Sequence, residues 1–458
     1  MQMTNRKQRT TVRGLAVSAI AICALATGQS VQAAPQKNIS WLVPEDPLID
    51  KYATVVATAF EKSHPGVHVQ VITPGSAAYN EKLLTLVAAG KTPDIFTDWN
   101  STGIYTLVDH QLVTNLNPYF KAAKLSPSYI PALYRQEYSK NGQLFGIPWL
   151  SNPVFLAYNK TLFRKYHVPF LPTSWADKQF TLTTLLHDAQ RLTHNTNNPK
   201  TATWGAILTP GSIGSLAWEW GADPLNAKGG PQYSPAYRGG PLTHTYATRP
   251  GMVQAMTWLA DLTTKWRVSP PAGELTAMST LGSPFFTGRI GIVEVGGWLW
   301  REAAVAKPKF QWAIAPFPYG PAGVDTNQRE DNAFYLSRTS QHPHTAFQFM
   351  LFATRGFGAE QLVHLAEVNP PRVTTKYLNQ WVDAASRIRG FSMTKAQFKQ
   401  VYLGGVQHDF PDPANVVNNA SVLTTPFTQL MAPVWIGNES AAKGLAAVQQ
   451  AWQSAVQP

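Results

Sequence analysis

The spacing of apolar positions switches between two periods along the chain. Ile39-Ser40-Trp41-Leu42-Val43 is a compact apolar run that reads as a buried strand. Asp46-Pro47 then supplies a capping carboxylate followed by proline at the first helical position, which predicts a helix start. Ile49, Tyr52, Val55, Val56, Ala59 and Phe60 keep one helical face apolar until His64-Pro65-Gly66 stops it, and Val67, Val69 and Val71 then alternate as a strand. A second helix carries Tyr79, Leu83, Leu84, Leu86 and Val87 on one side and ends at Gly90, before Asp94-Ile95-Phe96 opens a third strand. Strands alternating with helices predict an α/β fold with a largely parallel sheet, which binds ligands at the carboxyl ends of its strands. Two loops are thereby nominated, Pro44-Glu45-Asp46 and Asp98-Trp99-Asn100. Further on, Met252, Ala255, Met256, Leu259 and Leu262 recur at helical spacing, and Ile290 to Val295 is a strand between glycine-rich turns. The stretch from Asn195 to Tyr246, rich in Gly, Pro, Thr and Trp, reads as loops.

The first residues read differently. Arg6, Lys7, Arg9 and Arg13 precede an apolar stretch, Leu15 to Thr27, too short to span a bilayer, and Val31-Gln32-Ala33 offers small residues for a signal peptidase. Residues 1–33 are therefore expected to be a cleaved signal peptide and the chain to be exported, to the periplasm or the cell exterior. The single cysteine, Cys23, lies in this segment; bulky Ile22 before it makes a lipid anchor the less favoured outcome. The mature chain should then have no thiol chemistry. Of the 38 Lys and Arg, four lie in the signal segment, which leaves an excess of eight over the 26 Asp and Glu. No basic run follows Arg13, so the excess does not read as a nucleic-acid surface. So few carboxylates also suggest tolerance of acidic surroundings. What remains is long enough for two or three domains.

Several stretches together resemble one family. Phe60-Glu61-Lys62 before Pro65-Gly66-Val67, Lys82-Leu83-Leu84 through Gly90-Lys91-Thr92-Pro93-Asp94-Ile95, Asn141 to Trp149 followed by Tyr158-Asn159-Lys160, Pro172-Thr173-Ser174-Trp175, and Phe286-Thr287-Gly288-Arg289 with Gly296-Gly297-Trp298 occur in order. They are similar to the family 1 extracellular solute-binding proteins, the maltose-binding type that serves ATP-driven sugar importers. The stretch from Gly221 to Gly251 matches no part of that pattern. The resemblance implies two discontinuous lobes, 34–150 with 312–365 and 151–311 with 366–458, each a mostly parallel sheet flanked by helices. Chain crossings are expected near Trp149 to Val154, Phe310 to Pro318 and Leu365 to Arg372. It further implies a monomer that closes on a carbohydrate and delivers it to the membrane permease subunits of an ABC importer, with no cofactor and no catalysis.

A sugar has apolar C–H faces and a hydroxyl rim, so its site needs aromatic platforms beside carboxylates and amides. Trp298 is the leading candidate among fifteen tryptophans, because Gly296 and Gly297 let backbone approach a ligand and the position matches the family's sugar-packing tryptophan. Trp218-Glu219-Trp220 places two rings around a carboxylate, and Trp149 and Tyr158 flank a crossing; for each, packing is an equal or near-equal reading. Asp98 and Asn100 are nominated as hydroxyl partners with Trp99 either beneath the sugar or in the core; Asp98 stands ahead of Glu45, which suits the polar start of the first helix, while Tyr79 reads more as core and Arg372 more as surface. A phosphate loop fails because Thr85 stands where its first glycine belongs, and Pro65-Gly66 keeps His64 and His68 from a helical metal pair. Two alternatives stay open: the same fold binding a sugar phosphate, another anion or a metal held by tyrosines, and a secreted carbohydrate-active enzyme using Glu219 and Glu294.

Overall fold

The computed structural model describes residues 36–75, 78–99, 103–280, 282–366 and 375–456. The predicted signal segment with Cys23, the candidates Asn100 and Arg372, and most of the third expected crossing lie outside them.

Strand β1 (Lys37–Leu42) leads into helix α1 (Pro47–Ser63), which starts where Asp46 accepts from the backbone N–H groups of Leu48 and Ile49. That cap satisfies two of the helix's orphan donors. Ile49, Tyr52, Val56 and Phe60 are buried as the spacing predicts. Strand β2 (Val67–Ile72), helix α2 (Tyr79–Ala88) and strand β3 (Ile95–Thr97) follow. Helix α2 buries only Tyr79 and Leu83, while Leu84 is 60% exposed. The ten-residue helix therefore touches the core along a single i, i+4 row, narrower than the expected face. Helix α3 (Ile104–Asp109) completes this part.

Strand β4 (Gly146–Leu150) ends in the first sheet and β5 (Phe155–Asn159) begins in the second, so the chain crosses between lobes at 151–154. Strands β6 (Trp204–Ile207), β7 (Ile290–Val295) and β8 (Trp312–Ala315) join β5 in the order β8-β5-β7-β6. Helix α4 (Leu299–Ala306) follows β7. The short β9 (Gln328–Arg329) leads back, and β10 (Asn332–Leu336) completes a five-stranded sheet of order β2-β1-β3-β10-β4. The fold is thus α/β and two-lobed, with helices flanking both sheets.

Two expectations change. β8 pairs antiparallel with β5, Trp312 opposite Asn159, so first-lobe pairing resumes at Asn332 and not at residue 312. The sheets are also mixed rather than mostly parallel: β1 runs parallel to β2 and β3, β6 runs parallel to β7, and within the two sheets β4, β5, β8 and β10 pair antiparallel with their neighbouring strands. The cause is the crossings. A strand that has just entered a lobe starts at the cleft and runs away from it, against the core strands whose carboxyl ends point there.

Each lobe has its own core. In the first, Trp41, Tyr52, Phe60, Trp149, Phe334 and Phe349 interlock. In the second, β5 alternates: Leu156 and Tyr158 face one cluster, Phe155 and Ala157 the other, where Trp300, Trp312, Trp381 and Phe398 gather. The unmatched stretch after Gly221 winds into two short 3₁₀ turns, Pro231–Tyr233 and Pro235–Arg238. It is tied down by Asp223, which accepts from Trp218 Nε1 at 2.7 Å and the Tyr237 hydroxyl at 3.0 Å.

The crossings are locked by a buried guanidinium. Arg329, fully buried, donates to Asp331, to Glu137 Oε2 at 2.9 Å and to the Asp409 carbonyl at 3.1 Å. Asp331 Oδ1 accepts from the Asn152 backbone N–H, and Asp409 Oδ2 from that of Val154 at 2.8 Å. Strand β11 (Phe410–Pro411) pairs in parallel with β9.

Removing one partner of a buried charge set leaves the others uncompensated. Arg329→Met should cost about 3–5 kcal/mol in urea unfolding. The pH dependence has a definite sign. Burial pushes the carboxyls of Asp98 and Asp223 up to about 7 and about 6, and that of Asp409 upward as well. Between their ordinary range near 4 and those values the folded chain holds protons that the unfolded chain has released, so stability falls as pH rises through the window. The urea midpoint should be higher at pH 5 than at pH 7.5.

Candidate functional site

Between the lobes lies a cavity of about 380 Å³. The first lobe contributes Asp46, from the cap of α1, and Trp99, two residues past β3. The crossings contribute Asn152, Glu330 and Asn332. The second lobe contributes Ser212 together with Trp298, Arg301 and Glu302 from the start of α4. One further wall is the short helix α5 (Pro413–Val416) and its cap, through Asp412, Ala414 and Asn415.

Trp298 caps α4, and Arg301 and Glu302 follow at i+3 and i+4, so one helical face brings all three to the cavity. The glycines before it work differently from the sequence expectation. A Cβ on Gly296 would stand 2.1 Å from Trp298 Cζ3, and one on Gly297 would stand 2.8 Å from Asn152 Oδ1. Gly296 makes room for the indole itself and Gly297 for the first crossing; Gly297 is not among the cavity-lining residues.

Of the other described residues nominated one by one as ligand contacts, Trp99 lines the cavity and the rest do not; Asp46, from a nominated loop, also lines it. Asp98, beside Trp99, is fully buried and turned the other way: Oδ1 accepts from the Ala333 N–H at 2.7 Å and Oδ2 from the Tyr335 hydroxyl at 2.9 Å. It joins β3 to β10 in place of meeting a ligand, because successive side chains alternate in direction. Trp149 is fully buried, donates Nε1 to Thr97 Oγ1 at 3.1 Å and stacks on Phe334 at 4.5 Å. Tyr79 is fully buried and gives its hydroxyl to the Leu42 carbonyl. Tyr158 packs on Phe163 in the second lobe. Trp218 and Glu219 are buried in a 3₁₀ turn, Trp218 bound to Asp223 and Glu219 Oε2 accepting from the Gly320 N–H at 2.7 Å. Trp220 rests on Trp258. Glu45 is exposed and bridges to Gly75, one residue short of the cavity-lining Asp46. A large aromatic ring buries so much apolar area that the core claims it wherever its polar tip finds a partner.

The polar lining is largely engaged within the protein. Arg301 Nε donates to Asp46 Oδ2 at 3.3 Å, an ion pair from one lobe to the other. Asn152 Nδ2 donates to the Glu330 carbonyl at 2.9 Å, and Asn332 Nδ2 to the Asp98 carbonyl at 2.8 Å. Asp412 Oδ1 accepts from Ser212 Oγ and from the Ala414 N–H. Three buried atoms of lining residues make no hydrogen bond within the protein: Asn152 Oδ1, Arg301 Nη1 and Glu302 Oε2. These atoms are also closed off from solvent, Asn152 Oδ1 against Gly297. Burial pushes the Glu302 carboxyl up to about 7, with Arg301 opposing and Asp46 adding to the rise. Burial and the neighbouring Asp412 and Glu294 raise that of Glu330, and burial raises that of Asp412 against the Ser212 hydrogen bond.

The lining residues that sequence reading missed carried unequal signals. Arg301 and Glu302 were legible from their helical spacing to Trp298, and Asp46 lay inside a nominated loop. Asn152, Glu330, Asn332 and Asp412 are gathered only by the crossings and carry no local pattern.

Glu219 and Glu294 do not line the cavity; Glu294 accepts from the Thr209 N–H at 2.8 Å and from Asn327 Nδ2 at 3.2 Å. Among the described residues no helix is long and apolar enough to cross a membrane.

Solved structures with this architecture have low sequence identity to the chain. An ABC substrate-binding protein from Listeria monocytogenes in complex with cycloalternan superposes with a TM-score of 0.76 at 20% identity, covering 92% of this chain and 99% of the other. An ABC transporter solute-binding protein from Thermotoga lettingae bound with alpha-D-tagatose gives 0.69 at 16% identity, covering 92% and 100%. A maltose-bound protein of T. maritima gives 0.67 at 16% identity, covering 91% and 99%. No curated protein sequence matches the chain. The family model described as bacterial extracellular solute-binding protein matches residues 46–355, a span that runs from the cavity's first carboxylate through both sheets, and the chain belongs to that family.

Proposed function

We propose that this protein captures a sugar or short oligosaccharide between its lobes and delivers it, as a monomer and without catalysis, to the permease subunits of an ABC importer outside the cytoplasm. One observation carries the reading. Trp99 and Trp298, from opposite lobes, line a single cavity together with carboxylate and amide side chains, which is the pairing of flat platform and polar rim that a sugar requires. A volume of about 380 Å³ favours a short ligand over a long chain, since it lies near the lower end of small-molecule sites. The sugars named for the similar structures, cycloalternan, tagatose and maltose, support the same class. Residues 1–33 serve as the export signal, removed without lipidation of Cys23.

An anionic solute fits less well, because carboxylates outnumber the single guanidinium in the lining. A glycosidase reading lacks its pair, since neither Glu219 nor Glu294 reaches the cavity.

Arg301 and Asp46 already meet across the cavity, and a ligand held by both lobes would favour whichever arrangement it binds more tightly. Calorimetry across a panel of mono-, di- and trisaccharides should find at least one ligand, recovered intact after incubation. Trp298→Ala should weaken its binding more than tenfold with the fold retained, whereas Trp149→Phe should leave affinity within threefold. Equal affinity of Trp298→Ala and the parent protein would remove this cavity from consideration.

A further inference from the structure

The stretch from Gly221 to Gly251, which matches no part of the family pattern, is built as a stiff arm and not as a slack loop. A connection this long with only short turns of its own is ordinarily functional or unstructured, and this one binds itself together. Asp223 accepts from the Leu225 N–H at 2.7 Å, Asn226 Oδ1 from the Lys228 N–H at 2.9 Å, and Asn226 Nδ2 donates to the Gly230 carbonyl at 2.7 Å. Asp223, Leu225, Asn226, Ser234 and Ala236 are all buried. The returning end is pinned to the second lobe by Gln449 of the C-terminal helix, Ala441–Val456: Oε1 accepts from the Ala247 N–H at 2.6 Å and Nε2 donates to the Thr245 carbonyl at 2.9 Å. Through Asp223, Trp218 at the base of the arm is joined to Tyr237 further along it.

That further part lands on the other lobe. Tyr237 packs against the core clusters of both lobes. Gly239, at φ +72°, lies so close to Tyr105 of α3 that a Cβ there would stand 2.3 Å from Tyr105 Cδ1. Tyr105 is itself buried in the first core. Val416 of α5 lines a second cavity, of about 440 Å³, with Pro231, Tyr237 and Arg238 of the arm and Tyr105 of the first lobe, whereas Ala414 and Asn415 line the ligand cavity. Helix α5 therefore stands between the ligand cavity and the arm.

We propose that this stretch is a strap, carried by the second lobe and seated on Tyr105 of the first, which holds the lobes near the arrangement described here when no solute is bound. A turn of the lobes about their crossings has to carry Gly239 across the Tyr105 ring and draw Tyr237 from the first cluster, returning apolar area to water. Only a glycine leaves room for that seat, and its positive φ sets the course of the chain into it.

Double electron–electron resonance on the mature, solute-free protein tests this. Cys23 is the chain's only cysteine and lies in the predicted signal segment, so spin labels at Leu84→Cys and Val305→Cys, one exposed side chain on each lobe, report the lobe separation alone. The parent should give one narrow distance population without any solute. Gly239→Val, which drives a side chain into the Tyr105 ring, should add a population longer by more than about 2 Å. Tyr105→Val, which keeps the core apolar and removes the ring, should do the same and decides the matter if Gly239→Val does not fold. Gly273→Val, at a glycine with open space around it, should match the parent. A parent already spread over two separations, or a folded Tyr105→Val protein with the parent's distances, would overturn the strap. Neither result bears on sugar capture, which the calorimetric panel decides separately.

Discussion

A guanidinium with no access to water must be surrounded by groups that answer its charge, and in this protein that requirement fixes how the lobes are joined. Arg329 reaches Asp331 within its own crossing, Glu137 in the first lobe and the carbonyl of Asp409 beside β11. The side chains of two of those partners bind the first crossing in turn, through the backbone of Asn152 and Val154. Three stretches of chain distant in sequence are thereby held in one register. Because side chains alternate along an extended segment, turning Arg329 and Asp331 inward turns Glu330 and Asn332 toward the cavity. The ion cluster and the cavity are two faces of one strand.

This arrangement explains the cavity's mixed origin. Its polar floor comes from the crossings, which are bound to one another through Arg329, Asp331 and Asp409, and its indoles come one from each lobe. The pair formed by Arg301 and Asp46 sits where the second lobe reaches the first, and both groups bear on the charge environment of Glu302.

What could be read from sequence follows physical range. Helix α1 was legible to the residue because Asp46, Pro47 and the apolar face act within a few positions of one another. Trp298 and Trp99 stood out for local reasons, a glycine pair before one and a strand end before the other. Trp149, Tyr158 and Trp218, for which packing was an equal or near-equal reading, and Tyr79, whose apolar stripe already favoured the core, are all buried, since each ring's deciding neighbours, such as Phe334 for Trp149 and Asp223 for Trp218, are set by the tertiary fold. Asp98 was nominated beside Trp99 and faces away from it, because a single residue of offset reverses direction. The assignment of β8 to the second sheet rests on pairing with β5 about 150 residues earlier in the chain, a relation no local spacing encodes.

The wall formed by α5 is anchored to both lobes. Val416 packs into the first core while Val417 and Ala420 belong to the second. The backbone of Asn415 lies so close to Gly103 that a Cβ there would stand 2.7 Å from its carbonyl oxygen, and the Asn419 N–H reaches Thr106 Oγ1 at 2.8 Å. On the opposite rim a single 3.3 Å bond joins Arg301 to Asp46. Among the described residues the two rims are thus tied unequally: α5 is packed into the cores of both lobes, whereas Arg301 and Asp46 meet through one hydrogen bond.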